Sequence, residues 1–266
     1  MSKLTQLIDF VTGKVIFSVA PEAKSSIVGA RLTYGSASTV TVGKASEDSV
    51  VTADDMSCSL DFNGVKTADI AVTGAGGLQT GSSEASDTWY GVYIIGDTRN
   101  VNATTVLLIP DETAFAESGY DVKRRIGWVR NNASSAFLKF NQTGNGADRK
   151  IFYDVVDTEV NELSAGASTT FVDVDLKSSM PPTSDLAYLT FVYDNDATIN
   201  NFALRTNGST VARANCLTRF QPGVIATGNA MGTIEIITDS GQVIEYAVQS
   251  ASDFLALYVR GFIDSL

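Results

Sequence analysis

The 266-residue sequence contains no histidine, two cysteines and five prolines, and only 18% of its residues are charged. Imidazole is the usual general base near neutral pH and the commonest metal ligand, so its absence excludes Ser-His-Asp hydrolases, Cys-His proteases and H-E-x-x-H metalloenzymes. Cys58 and Cys216 lie far apart and outside any C-x-x-C spacing. Neither a zinc site nor a disulfide framework is expected, and both cysteines read as buried free thiols. No run approaches the roughly 18 apolar residues of a membrane-spanning helix, and stretches such as Val106-Leu107-Leu108-Ile109 are strand-sized. Residues 1–10 lack the sustained apolar segment and small-residue cleavage site of a secretory signal, so neither export by a signal peptide nor membrane insertion is expected.

Basic residues are also scarce. Nineteen Lys and Arg against 30 Asp and Glu give a net charge of -11, which repels polyanions and argues against nucleic acid as a partner. What is present is apolar material for a core, 44% of the chain, with a mean hydropathy of +0.08. It is distributed in short alternating segments separated by Gly, Asn, Asp, Ser and Thr, the pattern of antiparallel β structure. Strands are expected at 27–34, 57–62, 69–73, 88–95, 105–109, 124–130, 137–140 and 151–154. A second series follows at 169–173, 186–193, 201–205, 209–214, 232–237, 243–248 and 254–262. Asn63-Gly64, Asn207-Gly208 and Asp239-Ser240-Gly241 read as turns.

The fold expected is all-β, two antiparallel β-sandwich, jelly-roll-like domains with a short N-terminal arm or helix. The small, polar stretch Asn161-Glu162-Leu163-Ser164-Ala165-Gly166 marks a boundary, giving an arm over 1–26, one sandwich over 27–160 and another over 161–266. In residues 1–13, Leu4, Leu7, Ile8 and Val11 recur at helical spacing. This stripe is the candidate partner-binding anchor, against packing on its own domain. The placement of residues 111–119 is not fixed by pattern.

Several segments invite a chemical reading. Gly74-Ala75-Gly76-Gly77-Leu78-Gln79 fails the dinucleotide fingerprint because Gln79 stands where the third glycine belongs, and no helix follows, so a glycine turn is expected. Lys123-Arg124-Arg125 opens a strand and divides between its two faces, which points to ion pairing rather than an anion-binding stripe. The carboxylate pairs Asp54-Asp55, Asp111-Glu112 and Asp194-Asn195-Asp196 are the material for acid-pair glycoside chemistry. The last resembles the start of a calcium loop but lacks its glycine and distal Glu. Tyr188 and Tyr193 are candidates for an aromatic sugar-binding platform. No catalytic, cofactor or metal-ligating set is assigned.

The ordered segments Asp69-Ile70-Ala71-Val72-Thr73-Gly74-Ala75-Gly76-Gly77-Leu78-Gln79-Thr80-Gly81, Asp87-Thr88-Trp89-Tyr90-Gly91-Val92-Tyr93-Ile94-Ile95 and Gly119-Tyr120-Asp121-Val122-Lys123-Arg124-Arg125-Ile126-Gly127-Trp128-Val129-Arg130 resemble virion structural proteins of tailed bacteriophages, of the tail-fibre, collar and head-spike or decoration type. The likeness covers about a third of the chain. It implies a non-enzymatic virion component, assembled in the host cytoplasm, that docks on capsid, collar or tail proteins. It further implies a homo-oligomer, preferably a trimer, with a host-surface glycan as a further contact. The quoted residues are then framework: glycines at turns, Trp89 and Tyr90 in the core, Arg125 in a buried or interfacial ion pair. A carbohydrate-active enzyme using paired carboxylates, or a stand-alone carbohydrate-binding module, is the alternative.

Overall fold

The computed structural model describes residues 6–8, 15–17, 27–55, 57–111, 113–144, 148–195, 200–212, 218–220 and 228–266. Among these residues the regular structure is strand throughout, apart from one 3-10 turn at Asp157–Glu159. The chain is all-β, antiparallel and sandwich-like. No helix among the described residues is long and apolar enough to cross a membrane.

The N-terminal segment departs from expectation. Gln6–Ile8 is a strand, β1, antiparallel to Val15–Phe17, β2, with Leu7 opposite Ile16. The helical stripe of Leu4, Leu7, Ile8 and Val11 is therefore not formed at its described residues, and Leu4 and Val11 lie outside them. Val15-Ile16-Phe17 is a β-branched and aromatic run that offers the preceding segment a ladder. An isolated stripe of three turns is too short to outweigh it.

A first sheet is built from β3 (Ile27–Val28), β4 (Leu32–Tyr34), β5 (Thr39–Thr52), β6 (Ser59–Thr73), β7 (Gly77–Leu78), β8 (Thr88–Asp97), β9 (Asn100–Pro110) and β10 (Val122–Asn131). Its order is β10-β8-β9-β7-β6-β5-β3, with β4 also on β5. The sheet curls until its ends meet, the Asp54 N–H donating to the Lys123 carbonyl at 2.8 Å. Inside lie Leu32, Val42, Val51, Val92, Ile94, Val106 and Leu108, all fully buried. On the opposite face, Ile95, Leu107 and Ile109 form a small second cluster with Tyr93, Phe115 and Tyr120. Residues 113–121 cover it, held by buried Gln79, whose amide donates to the Ala114 carbonyl at 2.9 Å and accepts from the Ala116 N–H at 3.0 Å.

Asn63-Gly64 is not a hairpin turn. It lies within β6, and its partner β5, absent from the expected strands, runs past it with a register jump between Gly43 and Asp48. Gly43 and Gly64 take φ of +98° and +71° there, so the glycines bend a long two-stranded ribbon instead of ending it. The glycine turn at 74–81 does form, with Gly74, Gly76 and Gly81 at φ of +91°, +87° and +85°. It sets up β7, which joins β6 to β9 through parallel pairing.

The remaining strands are β11 (Phe140–Thr143), β12 (Asp148–Tyr153), β13 (Asn161–Gly166), β14 (Val172–Asp175), β15 (Leu186–Asn195), β16 (Phe202–Thr206), β17 (Thr218–Phe220), β18 (Gly228–Ile237), β19 (Val243–Val248) and β20 (Phe254–Ser265). They form a six-stranded sheet, β11-β12-β20-β15-β18 with β13 also on β20, and a four-stranded sheet, β14-β19-β16-β17. Ring contacts of Phe202 with Phe191 at 4.8 Å and with Tyr193 at 5.2 Å pack the two together. Residues 209–212, expected as strand, are not strand, whereas the Asn207-Gly208 and Asp239-Ser240-Gly241 turns form.

The expected division at 160–161 runs through the six-stranded sheet. The polar stretch read as a boundary is β13, paired with β20, and β12 from before the division is the hydrogen-bonded neighbour of β20 from the chain's end. One continuous apolar cluster extends through all three larger sheets. Gly77 is a sharp packing constraint within it, because a Cβ there would stand 2.0 Å from the Val72 carbonyl oxygen. Gly77→Ala is expected to destabilise the fold by about 3 kcal/mol or more, read from urea unfolding, while Ala substitution at open Gly119 costs less through its positive φ alone.

Candidate functional site

Among the described residues, chemistry-bearing side chains come together at the joint between the first sheet and the six-stranded sheet and on the outward face of the six-stranded sheet, as well as around buried Asp253.

The joint is built on a bulge in β10. Register against β8 shifts between Arg125 and Gly127, which turns Arg125, Trp128 and Arg130 toward the second half of the chain. Arg125 Nη1 donates to both carboxylate oxygens of Asp264 at 2.7 and 3.0 Å, and the Thr183 hydroxyl donates to the same carboxylate at 3.1 Å. Asp264 is 1% exposed. Burial pushes its carboxyl above the usual carboxylate range, while the charge of Arg125 pulls it the other way. Arg149 enters from β12 and donates to the carbonyls of Ala30 at 2.7 Å and Ile126 at 3.1 Å. Its burial lowers its pKa to about 10.

Residues 176–184 are gripped in the same joint. Trp89 Nε1 donates to the Lys177 carbonyl at 2.8 Å, Arg130 Nε to that of Ser178 at 2.7 Å and the Tyr153 hydroxyl to that of Ser179 at 2.8 Å. Trp128 Nε1 donates to the Thr183 hydroxyl at 2.9 Å. Trp89 also packs edge-on against Phe262 at 5.9 Å. Trp89 and Tyr90 are buried in the core and Arg125 is ion-paired with Asp264, the placements expected of them. Arg124 points elsewhere, buried, with Nη1 3.5 Å from Asp54, and Lys123 lies over the Tyr93 ring at 4.6 Å. The basic triplet is divided as its strand period requires.

The outward face of the six-stranded sheet carries a row that crosses five of its strands. Asn141 on β11 is opposite Phe152 on β12, Phe152 opposite Gly261 on β20, Gly261 opposite Tyr188 on β15, and Tyr188 opposite Glu235 on β18. Asn141 and Glu235 are exposed and the two aromatic residues half-buried. Gly261 leaves no side chain between them, so the Phe152 and Tyr188 rings meet across it with centroids 5.0 Å apart. No other residue fits there, since a Cβ would stand 2.0 Å from the Ile151 carbonyl oxygen. Exposed Lys150 places Nζ over the Tyr188 ring, 5.5 Å from its centroid, and the nearby Tyr188 phenol raises the lysine pKa. Farther along the same face stand exposed Met231 and Phe254.

Of the two tyrosines singled out as a platform, Tyr188 is on this face. Tyr193 is fully buried, its hydroxyl donating to Asp253 at 2.7 Å, and cannot serve. Side chains alternate along β15, and positions an odd number apart fall on opposite faces of the sheet. Of the carboxylates, Asp54 faces Arg124, Asp55 accepts from the Ser57 N–H at 2.9 Å, Asp111 follows β9 and Asp194 is exposed on β15. Glu112 and Asp196 lie outside the described residues, as does Cys216. Leu7 and Ile8 sit on β1, whose one pairing among the described residues is with β2. Sequence reading missed Asn141, Phe152, Glu235 and Gly261, because the row exists only once five strands are in register.

No family model matches the sequence, and no curated protein matches it. Among solved structures, a Bacillus thuringiensis Cry1Da tryptic core variant is similar at 10% identity, over 90% of this chain and 50% of that one, with a TM-score of 0.18. The chain spans half the length of that structure, and a superposition so loose carries no argument.

The joint makes a direct prediction. Asp264→Asn leaves buried Arg149 and half-buried Arg125 without the carboxylate's charge and is expected to cost about 3–5 kcal/mol. Combining Asp264→Leu with Arg125→Met is expected to recover most of that loss. A double-mutant cycle by urea unfolding measures the coupling.

Proposed function

We propose that this chain is a non-enzymatic structural component of a tailed-bacteriophage particle, a head, collar or tail building block of the fibre, spike or decoration type. The observation that carries the reading is the use made of the residues that resemble such proteins. Their polar and aromatic side chains are committed to architecture: Gln79 holds a covering loop, and Trp89, Arg125, Trp128 and Arg130 fasten the second half of the chain to the first. A chain whose buried polar and aromatic contacts fix one sheet against another is suited to bearing mechanical stress and presenting surface.

Docking is assigned to the outward face of the six-stranded sheet at Met231 and Phe254, which are 72% and 48% exposed. The partners are other virion proteins and further copies of this chain, with a trimer preferred by the resemblance. Assembly takes place in the host cytoplasm and the finished location is the virion.

The test is the solution mass of the full-length protein by light scattering over a concentration series, together with antibody labelling of purified particles. A concentration-independent trimer and labelled particles are expected. A monomer at every concentration that is also absent from particles overturns the reading. Met231→Asp is expected to reduce incorporation into particles severalfold without lowering the melting temperature.

A further inference from the structure

We propose that the row Asn141-Phe152-Gly261-Tyr188-Glu235 is an oligosaccharide-binding platform. It is one row in space although its members come from five strands, and it crosses the sheet from one edge to the other. Four inter-strand spacings give it a length of about 19 Å, enough for a short run of sugar rings laid perpendicular to the strands.

The chemistry along the row is what a sugar chain presents in reverse. A pyranose has an apolar C–H face and a rim of hydroxyls that both donate and accept. Phe152 and Tyr188 form a two-ring apolar surface, lowered into the sheet by the missing side chain of Gly261. Asn141, which donates and accepts, closes one end of the row, and Glu235, an acceptor, closes the other. Lys150 reaches over the Tyr188 ring, its Nζ 5.5 Å from the centroid, and brings three donors to the edge of the two-ring surface. Thr190 and Thr233, opposite each other on β15 and β18 two residues from Tyr188 and Glu235, continue the polar border. A few placed polar groups around aromatic rings fix a small ligand's orientation. The opposite signs of Lys150 and Glu235 disfavour a strongly charged chain, so the ligand class is a neutral or weakly acidic oligosaccharide.

A protein partner fits this end of the face less well. Protein interface centres are depleted of charge, whereas here a lysine and a glutamate flank the rings directly. The apolar pair Met231 and Phe254 lies elsewhere on the sheet, so this inference does not depend on the docking role given to them.

The experiment applies the full-length protein to a printed array of defined neutral and acidic oligosaccharides, then titrates the strongest array ligand by calorimetry. Binding is expected, weakened about tenfold or more by Tyr188→Ala or Phe152→Ala, with circular dichroism and melting temperature as folding controls. Lys150→Ala and Glu235→Ala change exposed side chains only and are expected to weaken binding severalfold in a folded protein. Absence of any array ligand, or binding indifferent to all four substitutions, overturns the platform. So does a change in solution mass on Tyr188→Ala without glycan binding, which makes the row a protein interface. Particle incorporation of the Lys150 and Glu235 variants separates the two proposals: it is expected to be normal when only sugar binding is lost.

Discussion

The carboxylate of Asp264 is the constraint on which the arrangement of the two halves depends. It is removed from water at the C-terminal end of β20 and is met by Arg125 from β10 and Thr183 from the gripped segment, with the charge of Arg149 nearby. Desolvation exceeds the pull of the arginine in setting its pKa, so the pair is weak as a source of net stability. What it supplies is uniqueness of position. Apolar faces of the kind on either side of the joint, with Trp89, Phe262 and Tyr153, tolerate sliding and repacking. A buried carboxylate held by Arg125 and Thr183 does not, because any other registry leaves charge unpaired inside the protein.

That registry requires both joined strands to break their alternation. β10 carries a bulge between Arg125 and Gly127, and β20 gains one residue against β15 between Val259 and Gly261. In β20, Leu255, Leu257 and Val259 are buried by odd number and Phe262 and Asp264 by even number. The extra residue is Arg260, which projects sideways to Asp157. A single insertion therefore lets one strand send Asp264 into the joint and present Gly261 on the outward face, where the two rings close over it. The joint and the aromatic row are consequences of the same bulge.

This explains what is legible in the sequence and what is not. Most strands are legible, since runs such as Thr88–Asp97 and Val243–Val248 are dense in β-branched and aromatic residues and fold as written. Thr39–Thr52 is not, because Gly43, Lys44 and Glu47 interrupt its apolar run and pairing with β6 on one side and β3 and β4 on the other holds it extended. Turn signals mislead where context differs: Asn63-Gly64 has the composition of a hairpin turn but sits opposite a bulged stretch that keeps the ribbon going. The N-terminal stripe misleads for the complementary reason, a local spacing overruled by a ladder with Val15–Phe17. Polar composition at Asn161–Gly166 resembles a linker, yet its partly buried residues pair with β20 through two register shifts. Of the outward row, Tyr188 alone is named by sequence reading, since parity within one strand cannot reveal which residues of four others lie beside it.

Rigidity at the joint bears directly on recognition. The strands that carry Phe152, Gly261 and Tyr188 are the same ones whose inward residues, Ile151, Phe262, Ala187 and Leu189, are buried in the shared core. The rings therefore need little ordering when a ligand arrives, and the conformational cost that weakens binding by mobile loops is small here. Glu235 stands on β18, a strand with one neighbour in its sheet, and Asn141 on β11, at the opposite edge. Stacking geometry is thus fixed at the centre of the row, while the hydrogen-bonding groups at its ends belong to less constrained strands. In the proposed platform this division fixes the stacking of the ring faces at the centre and leaves adjustment to the hydroxyl-binding groups at the ends.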